Sequence, residues 1–371
     1  NNILSLPGAP CGIVKTLPGS KTGYLACTFL YNRPLEKDVQ DIPENPDPTK
    51  RNYGTHLWTS NDGLHWKHLK RLLAYNDNAC LFTDFDTSRY LLYQKIMSNY
   101  GLSTRRTWIG LESRDGENWQ GYDGVKKWRE VFSCDDFDDI VARIRGFINS
   151  EAYCVCIYRA GHIFVSIETI FDVGLPLYEK FAANATGLCH TRMGFSYDGF
   201  KWKYPEGRPF FIERGEIGEP DAGWIMPSTT LVECGDYLLF YYGGSTFDHG
   251  WCINPDFTLR RDIPLSEHRG TGRIMMARIK KDRFGGLAAV SKGRIDVDAD
   301  FRAGDELFVN VKANKGQVRI ALSEKVDDYY GAPRKNENIT GFGFDDCVPI
   351  STDSISHPVK FKKSKITDNA I

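Results

Sequence analysis

Three places in the chain set carboxylates directly ahead of a strand-like run. Asp77 precedes the run from Asn78 to Asp84. Asp138 and Asp139 precede Ile140-Val141-Ala142-Arg143, and Glu216, Glu219 and Asp221 precede Trp224-Ile225-Met226-Pro227. Carboxyl groups gathered from separate strands can do acid–base work, one giving a proton while another activates water or attacks. Candidate hydrogen-bond donors accompany them: Arg105, Arg106, Arg143, Arg145, His190 and Arg192, with Asn78 beside the first acid. Trp58, Trp108, Trp224 and Tyr242 are candidate stacking platforms. His190 and Arg192 alternate along one strand, as do Arg143 and Arg145, so each pair would share a sheet face and suit an anionic group. The run Asp135-Asp136-Phe137-Asp138-Asp139 could instead hold a structural calcium, since hard cations take oxygen ligands. No other cofactor is expected.

Strands must carry these residues, and a repeated motif shows how they are arranged. Ser60-Asn61-Asp62-Gly63-Leu64-His65-Trp66 returns as Ser113-Arg114-Asp115-Gly116-Glu117-Asn118-Trp119 and as Ser196-Tyr197-Asp198-Gly199-Phe200-Lys201-Trp202, with a degenerate trace at Asp282-Arg283-Phe284. Each copy follows a β-rich run. Ser and Asp accept backbone hydrogen bonds, Gly supplies positive φ, and Trp packs back, so the motif predicts a hairpin turn rather than a catalytic aspartate. Hairpins recurring at one sheet's spacing predict a β-propeller. Four blades can be counted, and the N-terminal segment could complete a fifth. Strands are expected at 23–31, 78–84, 89–94, 140–148, 153–158, 162–169, 224–233, 236–242 and 273–280. Arg33–Asn52 and Gly250–Gly272 read as long surface loops framing a binding face.

Beyond about Phe284 the character changes: no Trp follows Trp251, and short strand-like segments alternate with turns. Expected strands there are 293–298, 306–311, 317–322, 340–344 and 357–361. The division predicted is 1–284 for the propeller and 285–371 for a small antiparallel β-sandwich, whose few aromatics (Phe301, Phe308, Tyr329, Tyr330, Phe342, Phe344) are expected mostly in its core.

Composition excludes several classes of partner. The 371 residues carry 47 Lys+Arg against 48 Asp+Glu, a net charge of −1. Nucleic acids and anionic membranes reward a large basic excess, so neither is expected as partner. No apolar stretch is long enough to span a bilayer. Ten Cys without a CxxC pair read as buried small hydrophobes, with one or two disulfides possible. Sequons occur at Asn184-Ala185-Thr186 and Asn338-Ile339-Thr340. The chain starts at Asn1 without Met or an apolar leader, as a trimmed, secreted product (extracellular or periplasmic) would.

Several segments together resemble the five-bladed β-propeller glycoside hydrolase superfamily that includes families 32, 43, 68 and 130. They are Asp77-Asn78 with Phe82, Asp84 and Tyr90 in SRYLLYQ, Arg106-Thr107 running into SRDGENW, and GFSYDGFKW running into Arg208-Pro209-Phe210. The tail segments GDELFVNVKANKGQVRIAL and GFGFDDCVPISTDSISHPVKF resemble the C-terminal sandwich of a poorly characterised bacterial branch of that group. The Trp-Met-Asn-Asp-Pro-Asn and Arg-Asp-Pro motifs of the invertase-like family are missing, and Glu233-Cys234 sits at a strand end.

The resemblance implies an all-β fold, a five-bladed β-propeller followed by a small antiparallel β-sandwich, and an enzyme cleaving a glycosidic bond of an oligo- or polysaccharide. Such cleavage uses two carboxyl groups, about 5–5.5 Å apart in retaining and about 6.5–9.5 Å apart in inverting enzymes. By analogy with the superfamily's order, Asp77 is base or nucleophile, Asp139 orients the sugar or tunes a neighbour, and Glu219 is the acid, with Asp221 as runner-up. Asn78, Arg106, Arg143, His190, Arg192, Asp221 and Trp224 would bind substrate. A cationic lining would suit an acidic or sulfated sugar, or phosphate. The alternative is a carbohydrate-binding propeller without turnover.

Overall fold

The computed structural model describes residues 6–30, 53–73, 77–100, 103–121, 129–174, 186–250, 272–299, 305–323 and 338–363. The loops expected at 33–52 and 250–272 therefore lie almost wholly outside the described residues, as do Asn184, Phe301, Tyr329 and Tyr330. The chain divides into two compact units, one of residues 1–232 and 239–277, the other of 233–238 and 278–371.

The first unit is built of antiparallel sheets. β1 (Ala9–Lys15), β2 (Tyr24–Leu30), β3 (Gly54–Ser60) and β4 (Lys67–Leu73) form one in sequential order. In the next, β5 (Ala79–Asp84), β6 (Arg89–Tyr100) and β7 (Ser103–Ser113) are followed by β8 (Gln120–Gly121) and β9 (Arg129–Phe132), both paired with β7. After the helix α1 (Asp136–Ile144) come β10 (Ser150–Ala160), β11 (Ile163–Val173) and β12 (Gly187–Ser196). A single parallel pairing, Cys189 with Trp224, joins β12 to β13 (Trp224–Pro227). β13 then pairs with β15 (Tyr237–Ser245), which is flanked by β14 (Val232–Cys234) and β16 (Gly272–Lys280).

The first strands of successive sheets lie against one another, β1 on β5, β5 on β10 and β10 on β13. That is the radial arrangement of propeller blades, and it explains the sequence of these strands. An innermost strand is covered on both faces, so β5 (ACLFTD) and β10 (SEAYCVCIYRA) are buried along nearly their whole length. Leu81, Leu92 and Ile109 share a core with Cys11 and Leu25 of the first blade, while Cys80, Tyr93 and Trp108 share one with Val155, Ile157 and Phe164 of the third. The chain is all-β with one helix among the described residues, and four blades are seen there.

The repeated motif closes the third strand of three blades in one geometry. The hydroxyls of Ser60, Ser113 and Ser196 each accept the N–H of the following Gly at 2.9 Å. Asp62, Asp115 and Asp198 each accept two further N–H groups through Oδ1 at 2.7–2.8 Å. Gly63, Gly116 and Gly199 have φ of +75°, +79° and +78°, a region an L side chain rarely adopts. Nε1 of Trp119 and Trp202 donates back to the Gly carbonyl at 2.9 and 3.1 Å, whereas Trp66 Nε1 is buried without a partner among the described residues. A third strand runs parallel to the first strand of its own blade. These turns therefore sit at the trailing ends of the inner strands, opposite the leading ends where Asp77 stands.

One expected strand is a helix. Residues 140–148 read as a strand, yet α1 runs through Asp136–Ile144. Asp135 accepts the N–H groups of Phe137 and Asp138, and Asp138 reaches back to the N–H of Asp135, a reciprocal capping box. Acidic residues in the first turn and Arg143 in the last suit the helix dipole. The acidic run encodes this helix start; its spacing against the apolar residues was the stronger signal. Arg143 and Arg145 thus do not alternate on a strand.

In the second unit β17 (Phe308–Lys312) pairs with β18 (Asp353–Pro358), and isolated bridges join Val318 to Ile350, Ser323 to Asn338 and Cys347 to Phe361. Its core holds Val311, Leu322, Phe342, Cys347, Ile350 and Phe361, with Phe342 edge-on to Phe361 at 4.9 Å. Phe308 and Phe344 are exposed. Residues 293–298 and 340–344 are turns and irregular chain rather than strands; Gly293, Asp296 and Asp298 in the first and Gly341 and Gly343 in the second favour turns over a ladder.

Candidate functional site

Asp77 lies two residues ahead of β5, its side chain 40% exposed, and pairs through Oδ1 with Lys95 Nζ at 2.5 Å. Lys95 is buried on β6. It is held in line because its own N–H donates to the Asn78 carbonyl at 3.0 Å, and Gln94 Nε2 donates to the same oxygen at 2.9 Å. The Lys95 ammonium stands 4.3 Å from the ring centre of Tyr153, and the Arg106 guanidinium stands 4.9 Å from it. Tyr153 shares a hydrogen bond with His249 Nε2 at 3.0 Å. Burial raises the phenol's pKa above its ordinary value, so Tyr153 is a neutral platform under two cations.

A bulge explains how Tyr153 reaches this place. The β10–β11 register shifts between Ala152 and Cys154, which leaves Tyr153 unopposed and turns its side chain out of the regular alternation. Two residues earlier, Glu151 Oε2 is held by Arg106, through the guanidinium and through the backbone N–H at 3.4 Å. The Glu151 side chain has no exposed area, and its Oε1 has no hydrogen-bond partner among the described residues. Asn78 Nδ2 donates to Cys154 Sγ at 2.8 Å. Asp77, Asn78, Arg106 and Tyr153 thus meet at the leading ends of β5 and β10, together with Lys95 and Glu151.

The acids expected before β13 occupy the turn that leads into it. Asp221 is buried and accepts the Tyr242 hydroxyl through Oδ2 at 3.0 Å. Burial and this bond push the tyrosine up to about 12. Asp221 has no ion pair among the described residues. Glu219 is exposed, and its N–H donates to the Glu216 carbonyl at 2.9 Å. Gly215 packs so closely under this turn that a Cβ there would meet Asp221 Oδ1 at 2.4 Å and Glu219 Cβ at 2.7 Å. Trp224 packs, partly buried, on Phe171, Val173 and Cys189.

The remaining expected residues form a second cluster. Asp139 is buried on α1, with Oδ1 accepting the Ser150 N–H at 3.1 Å and Oδ2 paired with Arg105 at 2.8 Å. Arg192 lies buried between Asp138 at 2.7 Å and Glu168 at 2.9 Å, with Tyr204 beneath its guanidinium. Asp135 and Asp138 also receive Arg208 at 2.6 and 2.7 Å, so Asp135, Asp138 and Asp139 are turned to guanidiniums and backbone N–H groups. His190 is buried 3.6 Å from Asp172. Burial, then the nearby Arg145, Arg214 and Arg192, holds its pKa well below the ordinary imidazole value. Asp172 is pushed up to about 6 by burial, against the opposing pull of Ser150, Arg145 and Arg214. Arg143 is exposed and donates to the Ile148 carbonyl at 3.2 Å.

Two expected stacking platforms belong to the core. Trp108 has no exposed area and donates to the Ala152 carbonyl at 3.1 Å; Trp58, 4% exposed, donates to Thr28 Oγ1 at 2.8 Å. Sequence reasoning missed Lys95, Glu151, Tyr153 and Asp172. Glu151 carried the same signal as Asp77, an acid at the start of an apolar run, but the strand was started at Tyr153.

No family model matches the chain, and no curated protein matches it. Among solved structures it is similar to one described as a glycoside hydrolase, with 12% identity over 79% of this chain and 72% of the other, at a TM-score of 0.42. A GH32 β-fructofuranosidase of Bombyx mori in complex with sucrose gives 13% identity over 72% and 46%, at 0.39. An N-acetylgalactosamine deacetylase from F. plautii in complex with blood group B trisaccharide gives 14% over 74% and 89%, at 0.42. What this chain does is argued from its own residues.

Proposed function

We propose that the chain is a glycoside hydrolase acting at the leading ends of the inner propeller strands. The observation that carries this reading is that three successive inner strands each begin beside a carboxylate, Asp77 at β5, Glu151 at β10 and Asp221 at β13. Asp77 is the base or nucleophile, since the Lys95 ammonium favours its charged form. Asp221 is the proton donor. It is buried at the turn into β13 and is held by the Tyr242 hydroxyl alone among the described residues. Glu219, one turn away and exposed, is the alternative donor. Arg106 positions the sugar, and Glu151, whose side chain has no exposed area, holds Arg106 in place. Asp139 holds Arg105 and the Ser150 N–H at the start of β10 and is a positioning residue. Trp224 is the stacking platform.

Incubation with a panel of plant and algal oligosaccharides should release reducing sugar. On the substrate so found, Asp77→Asn and Asp221→Asn should each lower kcat by about 100-fold or more. Full rate in Asp77→Asn would remove the assignment. A second reading, binding without turnover, is favoured by the ion pairs that already engage Asp77 and Glu151. It predicts saturable oligosaccharide binding with no product from any member of the panel.

A further inference from the structure

On the opposite face of the third blade, α1 and the chain around Arg208 border a small open cleft of about 30 Å³, room for a water or two or one small anionic group rather than a whole sugar. Its wall carries three guanidiniums, Arg145, Arg192 and Arg208, but a single carboxylate, Asp138, with the rings of Phe137 and Phe210 beside them. The other counter-ions, Asp135, Glu168 and Asp172, do not line it. The cleft is therefore electropositive although the cluster as a whole is balanced. The three guanidiniums are not equivalent. Arg192 is saturated by Glu168, Asp138, the Ser133 carbonyl and Tyr204. Arg208 is forked onto Asp135 at 2.7 and 2.6 Å. Arg145 makes one ion pair, Nη2 to Asp172 at 2.8 Å. Its Nε and Nη1 have no hydrogen bond among the described residues, and its guanidinium lies over the Phe210 ring, 5.2 Å from the ring centre.

We propose that this cleft binds a small oxyanion, the sulfate or carboxylate group of an acidic sugar or a free inorganic anion, with Arg145 as its principal ligand. A planar guanidinium with two donors to spare, lying over an aromatic ring, matches the bidentate geometry of such groups. Asp172 competes with the ligand for Arg145. Facing Asp172 are Ser150 from β10, Arg145 and Asp138 from α1 and its C-terminal cap, His190 from β12, and Arg214. Protonation of Asp172 would leave Arg145 to the ligand, while His190, held neutral, adds no charge. Binding should therefore tighten as pH falls through about 6.

The test is titration calorimetry of the whole chain with sodium sulfate and with glucuronate, glucose serving as the neutral control, at about pH 5 and about pH 8. Neither probe is a glycoside, so the outcome is separate from the hydrolase reading. The result expected is saturable sulfate binding, weaker at the higher pH, and lowered about tenfold or more in Arg145→Ala. Asp172→Asn should bind equally at both pH values. Glucuronate binding tighter than sulfate marks an acidic sugar as the source, and the reverse marks a free anion. As a check without mutation, sulfate should protect Arg145 from phenylglyoxal, read by peptide mass spectrometry. No saturable sulfate binding, or equal affinity in Arg145→Ala with no protection of Arg145, overturns the proposal.

Discussion

The two faces of the β10–β12 sheet treat charge in opposite ways. On one, Glu151 is aligned with Phe171 and Cys189; on the other, Ser150 is aligned with Asp172, and Ile170 with His190. The first face spends one buried ion pair, Arg106–Glu151, and leaves one carboxylate oxygen unsatisfied. The second face gathers several carboxylates and guanidiniums into a network in which Arg192 alone has four partners. A satisfied network rigidifies the chain around it, and an unsatisfied buried oxygen is costly unless something else uses it. Residues one apart on a strand can thus serve framework and chemistry separately.

The sharpest way to break this contrast is Arg106→Ala. It leaves Glu151 charged in a site with no exposed side-chain area, and should cost about 3–5 kcal/mol in denaturant unfolding. A cost near that of a surface pair would mean Glu151 is not committed to its cation. Asp172→Asn should have a smaller effect of opposite sign. Asp172 is raised in the folded chain from an ordinary 3.8 to about 6. Its contribution to stability is thus fully present below the unfolded pKa and is lost as pH rises through about 6. The substitution should flatten that dependence and stabilise the chain above it by about 2–3 kcal/mol, as read from melting at a series of pH values. The smallest effect is expected at the trailing ends. Ser113→Ala removes a turn acceptor and should cost about 1 kcal/mol with no change in oligosaccharide turnover or sulfate binding.

How much of this was legible in the sequence depended on range. The SxDGxxW turns were fully legible, because their hydrogen bonds run within a few residues. The inner strands were legible as apolar runs, and Asp77 as the acid before one of them. Residues 140–148 were misread because a short amphipathic helix and a half-buried strand share apolar positions, and the capping box that decides between them reads equally well as acids placed ahead of a strand. Lys95 and Tyr153 were invisible for another reason. Lys95 looks like an ordinary strand lysine until Asp77 folds beside it, and Tyr153 points where it does only because a bulge follows Ala152. Asp139 and Glu219 had the right residue type at the right spacing. Whether an acid faces a guanidinium, a phenol or water is set by strands distant in the sequence.

The most direct test of the central claim is a crystal structure of Asp77→Asn soaked with an oligosaccharide that the unaltered chain cleaves. The account predicts a glycosidic oxygen within hydrogen-bond distance of Asp221, with Trp224 against a sugar face and residue 77 on the anomeric side. A sugar seated elsewhere, with Asp221 still closed onto Tyr242 alone, would contradict it.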